Sequence, residues 1–142
     1  MIDVENLVID KISKAIETSA HSNTVVTSEY TDSPSGFPCV SVVEADNYTY
    51  RKTQDNDLME HHTNVMYEVN VFSNKGNKSK SEAKEILEIV DTAFQNMKFT
   101  RTFKNNIPNK DKTIYRMVAR YEAVIGEGFT QGDDTIYPVY RR

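Results

Sequence analysis

The sequence predicts an α+β fold: an antiparallel β-sheet with two helices packed on one face and a long projecting β-hairpin. Three patterns in the 142 residues carry that expectation. Two segments place apolar residues three and four apart, as a helix with one buried face requires. Two long runs on either side of residue 55 have apolar patterns that match when laid antiparallel. A run near the C-terminus alternates apolar and polar residues with the period of a half-buried strand. A chain of this length supports one core. Residues 1–126 are therefore expected to form a single domain and 127–142 a C-terminal tail.

The first segment, "IDVENLVIDKISKAIETSA", sets Ile2, Ile9, Ile12 and Ile16 along one side of a helix, with Glu5, Lys11 and Lys14 on the others. "NTVVTSEY" reads as a short strand, and "TDSPSGFP" holds the Ser, Pro and Gly that turn a chain. The hairpin follows. Pairing "CVSVVEADNYTYRKT" with "LMEHHTNVMYEVNVF" across an Asp55-Asn56 turn sets Val40 opposite Val71, Val42 opposite Val69 and Arg51 opposite Glu60. Apolar meets apolar and plus meets minus, as cross-strand neighbours prefer. Toward the tip the apolar pattern fades through Asn47, Thr49, Lys52 and Gln54 on one strand and Met59, Thr63 and Asn64 on the other. The tip is expected to project beyond the core as an arm.

"SNKGNKSKS" is a turn and helix entry, with Ser79 or Ser81 as caps ahead of Glu82. The helix beyond it has the strongest periodicity in the chain: Ala83, Ile86, Leu87, Val90, Ala93, Phe94 and Met97. "FTRTF" and "TIYRMVARYEAVI" are then two strands around the "NNIPNKDK" turn. The second strand puts Tyr115, Met117, Ala119, Tyr121 and Ala123 on one face and Arg116, Arg120 and Glu122 on the other. With Arg101 on the partner strand and Lys104 at its end, that other face is expected to be exposed and cationic.

The chemistry-bearing residues point away from catalysis. His61 and His62 are adjacent in a strand, where successive side chains point to opposite faces. They do not converge on one metal, and only His21 remains as a further histidine. Cys39, the single cysteine, follows Pro38 in an apolar run and reads as a small buried hydrophobe. One cysteine, and no charged start leading into a long apolar run, fit a reducing cytoplasm and no membrane span. No glycine-rich phosphate loop, nucleophile elbow or Ser, His and Asp set is present, so no catalytic residue, cofactor or metal is expected.

The formal net charge of −4 divides unevenly. Residues 98–120 hold seven Lys and Arg against Asp111 alone, a local +6 that leaves −10 elsewhere. Such acidity argues against gripping duplex nucleic acid. A basic side facing an acidic one suits subunits that meet head to tail. Arg51, Lys52, Glu60, Arg101, Arg116 and Arg120 are the candidate interface residues of the domain.

The order of an N-terminal helix, the "FPCVSVVEAD" strand, the arm ending in "NVMYEVNVFSNKG", the helix "SKSEAKEILEIVDTAF" and the closing "KTIYRMVARYEAVIGEG" strand resembles the tail-terminator and tail-completion (head-tail joining) proteins of long-tailed bacteriophages. The resemblance covers residues 1–126 and implies a structural protein, not an enzyme. It implies self-assembly into a ring, usually a hexamer, that caps the tail tube protein and offers a docking surface to a head-completion or connector protein. DNA would pass through that ring without sequence-specific binding. The place implied is the tail end or neck of the virion, with assembly in the host cytoplasm. Another neck or head-closure adaptor of the virion is the alternative, and a small metal-dependent enzyme using Glu60, His61 or His62 is the more distant one.

The tail, "EGFTQGDDTIYPVYRR", departs from the family pattern. Gly126, Gly128 and Gly132 with Asp133 and Asp134 make its first half flexible. Its second half gathers Ile136, Tyr137, Val139 and Tyr140, and Pro138 restricts it to an edge or added strand. Residues 135–140 are expected to dock on a neighbouring subunit or a tail protein, with Ile136, Tyr137 and Tyr140 as contacts. Folding back over the chain's own core is the other possibility.

Overall fold

A computed structural model of the chain describes residues 3–31, 34–49, 62–108, 112–126 and 138–140. The elements in chain order are α1 (Glu5–Glu17), β1 (Val25–Thr27), β2 (Cys39–Thr49), β3 (His62–Ser73), a 3-10 turn (Gly76–Lys78), α2 (Ser79–Asn96), β4 (Thr100–Asn106), β5 (Tyr115–Gly126) and β6 (Pro138–Tyr140). The fold is α+β. Five strands lie in the order β1-β2-β3-β5-β4, and both helices pack against one face of the sheet.

The sheet is mixed, not wholly antiparallel. β1 runs parallel to β2, pairing Val25 with Cys39 and Thr27 with Ser41, while the other pairings are antiparallel. β2 and β3 pair as expected at Val40↔Val71 and Val42↔Val69. The register then advances by one residue, between Glu44↔Tyr67 and Asp46↔Met66. Ala45 is the extra residue of a bulge there, which shifts every pair beyond it. The proposed Arg51–Glu60 pair and the 55–56 turn lie outside the described residues, as does the arm tip.

α1 buries Val4, Val8, Ile12 and Ile16, a line spaced by four residues, and leaves Ile9 half-buried at its flank. This corrects the expected stripe through Ile9; Ile2 is outside the described residues. At its start the Glu5 N–H donates to Asp3 Oδ1 at 3.0 Å. At its end Ser19 Oγ donates to the Ile16 carbonyl at 2.6 Å. Such side chains satisfy backbone groups a helix end leaves unpaired.

α2 buries all seven residues of its expected stripe. Its entry differs from expectation. The 3-10 turn leads straight into the helix, so Ser79 sits in the first turn, buried with no partner for its hydroxyl, and does not cap. Its exit is a Schellman motif. Phe99 N–H reaches the Phe94 carbonyl (3.0 Å) and Lys98 N–H the Gln95 carbonyl (2.9 Å), with Lys98 left-handed at φ 67°. The Phe94 and Phe99 rings meet edge to face at 5.2 Å, the apolar contact that accompanies such caps.

Between helices and sheet lie Val40, Val42, Val65, Val69, Val71, Met117, Ala119, Ala123 and Ile125. The aromatic centre is Tyr67, Phe94, Phe99 and Tyr121, with Phe94 and Tyr121 stacked at 4.2 Å. Each of these four rings is fully buried, and burying a large side chain contributes about 1.5 to 3 kcal/mol.

β6 pairs with the end of β5, at Val124↔Tyr140 and Ile125↔Pro138. It lies on the same side of β5 as β4, end to end with it. In this structure Pro138–Tyr140 therefore adds to its own subunit's sheet, as in the fold-back alternative, and residues 135–137 lie outside the described residues. Proline suits that place, since it cannot donate into the middle of a sheet.

Candidate functional site: the open face of the sheet

The face turned away from the helices is where the sequence placed its cationic surface. Register decides what it carries. Across the strands run Cys39, Phe72 and Arg116; Ser41, Asn70 and Val118; Val43, Glu68, Arg120 and Phe103; then Asp46, Met66, Glu122 and Thr100.

Arg101 and Lys104 do not belong to this face, which corrects the expectation. They pair with Tyr121 and Ala119 on the helix side, because β4 shifts register between Arg101 and Phe103. Arg101 instead clamps β4 to α2. Its guanidinium reaches Asp91 Oδ1 at 3.1 Å, and the same oxygen accepts from Tyr121 Oη at 2.7 Å. Gln95 donates to Asp91 Oδ2 at 2.7 Å. Burial, reinforced by the bond to Asp91, pushes the Tyr121 phenol well above its usual range, so it stays a neutral donor. Tyr67, in the neighbouring strand, is raised by burial and then by Glu44, to which its hydroxyl donates at 3.2 Å.

The two arginines that remain on the open face are held in different ways. Arg116 is half-buried: its Nε donates to Asn70 Oδ1 at 2.8 Å, and its guanidinium lies 5.8 Å from the centre of the Phe72 ring. Arg120 is exposed, 3.4 Å from Glu68 Oε1 and 5.2 Å from the Phe103 ring centre. Planar guanidinium groups stack on rings and fork to acceptors in this way. The face is therefore not the exposed cationic surface expected: Arg120 is paired with Glu68, Arg116 is held by the Asn70 amide, and Cys39, Ser41, Asn70, Phe72 and Val118 are buried. An open groove of about 340 Å³ beside it is lined by Ile107, Lys112, Ile114, Tyr115 and Arg116 among others.

Of the other candidates, Arg51, Lys52, Glu60, His61, Ile136 and Tyr137 lie outside the described residues. His62 is placed by its backbone alone, opposite Gly126 at the start of β3, and Tyr140 by its backbone in β6. Cys39 is buried, and burial raises its thiol pKa, which suits packing and not nucleophilic attack. Among the described residues no group of three or more His, Cys, Asp or Glu gathers to hold a metal, and no helix is long and apolar enough to cross a membrane. The sequence reading missed Asp91, Phe103 and Tyr30. Asp91 carried a usable signal, a carboxylate beside Val90 and two residues from Ala93 in the most apolar helix.

Compared with protein-family models the chain has no match, and compared with curated protein sequences it has none either.

Proposed function

We propose that this chain is a structural virion protein of a long-tailed bacteriophage, a subunit of a ring that caps the tail tube and provides the head-tail joining surface. The ring is a homo-oligomer, a hexamer in the family it resembles. The observation that carries the reading is the one-sided packing: both helices cover a single face, and the other carries the exposed Glu68–Arg120 ion pair and Arg116 bonded to Asn70. The order of helix, strand, paired β2 and β3, helix and closing strands also follows the resemblance. Its partners are further copies of itself, the tail tube protein and a head-completion or connector protein. DNA passes through the lumen.

The test is negative-stain electron microscopy of the purified chain alone and mixed with tail tubes, together with sedimentation velocity. Closed rings, and density capping one end of each tube, are the expected outcome. A chain that neither forms rings nor binds tube ends would remove the reading.

A further inference from the structure

The two ends of the strand path differ in charge and in apolar exposure. Among the described residues of 3–49, which include α1, β1 and β2, there are seven carboxylates against Lys11 and Lys14. Among those of 98–126, which include β4 and β5, there are six Lys and Arg against Glu122. β1 and β4 terminate the path on opposite flanks, so Glu29 beside β1 and Asp46 on β2 lie across the sheet from the basic residues of β4.

Both large apolar side chains that stand exposed among the described residues are at the β1 end: Val25, 42% exposed, and Tyr30, 60% exposed. Glu29 lies between β1 and Tyr30. β1 covers only Cys39–Ser41 of β2, so the same flank continues along β2 to exposed Asp46. At the other end Lys98, Arg101 and Lys104 are all exposed along the β4 edge.

We propose that the β1 flank of one subunit receives the β4 edge of a second copy, an apolar centre at Val25 and Tyr30 rimmed by carboxylates meeting a basic strand. An aromatic anchor inside a polar rim is how protein interfaces are built. The occupant is a second copy because the chain itself carries the complementary surface. Each flank repels its own kind, and lysine on an edge strand opposes β4-to-β4 pairing. The contact is therefore heterologous and repeats in one direction, closing a ring if the rotation allows. This specifies the subunit contact of the ring proposed above and rests on that reading for its closure.

Two double variants test it. Lys98→Glu with Lys104→Glu makes both flanks acidic, and Glu29→Lys with Asp46→Lys makes both basic. Sedimentation velocity at low salt should show each alone associating at least about tenfold more weakly than wild type, while an equal mixture recovers assembly. Tyr30→Ser should weaken association by about tenfold with the salt dependence retained. Circular dichroism checks that all variants fold. Variants that assemble like wild type, or a mixture that stays dissociated although both components are folded, overturn the contact. So does a wild-type chain that remains monomeric at its highest soluble concentration. Wild-type rings that ignore tube ends would remove the capping role and leave the contact standing.

Discussion

The two faces of the sheet use similar residues for opposite ends. On the helix side, few polar groups interrupt the apolar core. Tyr67 and Tyr121 bury their rings and send their hydroxyls to Glu44 and Asp91, and Arg101 closes over Asp91 from β4. On the open side, Arg116 and Arg120 lie across Phe72 and Phe103 and pair with Asn70 and Glu68. The first arrangement ties helix to sheet through Asp91 of α2, which joins the buried Tyr121 ring to the exposed Arg101. The second joins neighbouring strands, and its Glu68–Arg120 pair stays accessible to another protein. Stability should therefore reside in the covered face and association in the other face and the flanks.

Phe94→Ala should show the largest effect. Phe94 stacks on Tyr121, contacts Tyr67 and closes the α2 exit with Phe99, so its loss should destabilise the fold by about 3 to 5 kcal/mol in chemical denaturation. A cost below about 1 kcal/mol would break the contrast.

Glu82→Gln comes next. Glu82 is buried on α2, accepting from Ser73 Oγ at 2.7 Å and pairing with Lys75. Burial opposes its ionisation, but those two partners outweigh it and hold the carboxyl below its usual range. A folded-state pKa below the unfolded value stabilises the fold above the unfolded pKa, and that stability is lost as pH falls through the folded pKa. The variant should cost about 1 to 3 kcal/mol near pH 7, and its deficit should shrink as pH falls below about 4. A deficit that is constant with pH would show that the carboxylate charge is not what ties α2 to β3.

Arg120→Ala should do least to stability, about 0 to 1 kcal/mol, because its pair with Glu68 is exposed. Equal denaturation midpoints for variant and wild type, with any change confined to association, would sharpen the contrast. A loss comparable to that of Phe94→Ala would place the open face in the stabilising core.

What was legible in the sequence follows from how local each signal is. The α2 stripe was readable in full because seven apolar residues repeat at helical spacing within one segment. The β5 face was readable because strict alternation leaves one assignment. In α1 the expected line followed the isoleucines, whereas burial follows Val4 and Val8, since position on the helix outweighs the size of the side chain. The β2–β3 register held as far as Glu44 and failed at Ala45, where nothing in the residue type announces a bulge. A second shift in β4 set Arg101 and Lys104 together on the helix side, two of the four residues of the expected cationic face. The direction of β1 was not readable at all. Three residues carry no pattern that distinguishes a parallel from an antiparallel neighbour, and the outcome depends on the path of the segment that follows.

That segment has its own effect on how anything approaches the sheet. Parallel neighbours cannot be joined by a tight turn, so the chain must travel back along the sheet before β2 begins. It travels over the side without helices: Ser41 Oγ donates to the Glu29 carbonyl at 2.9 Å, and Gly36 lies against the Val25 side chain, where an added Cβ would stand 3.3 Å from its Cγ2. The strap lies over β1 and β2, and farther along the same face Phe72, Asn70 and Val118 are buried as well, whereas Arg120 is exposed. The face is thus unequal along its width, with Cys39 and Ser41 buried beside the strap and Arg120 exposed toward β4, which gives the subunit a built-in polarity even before a second copy is present.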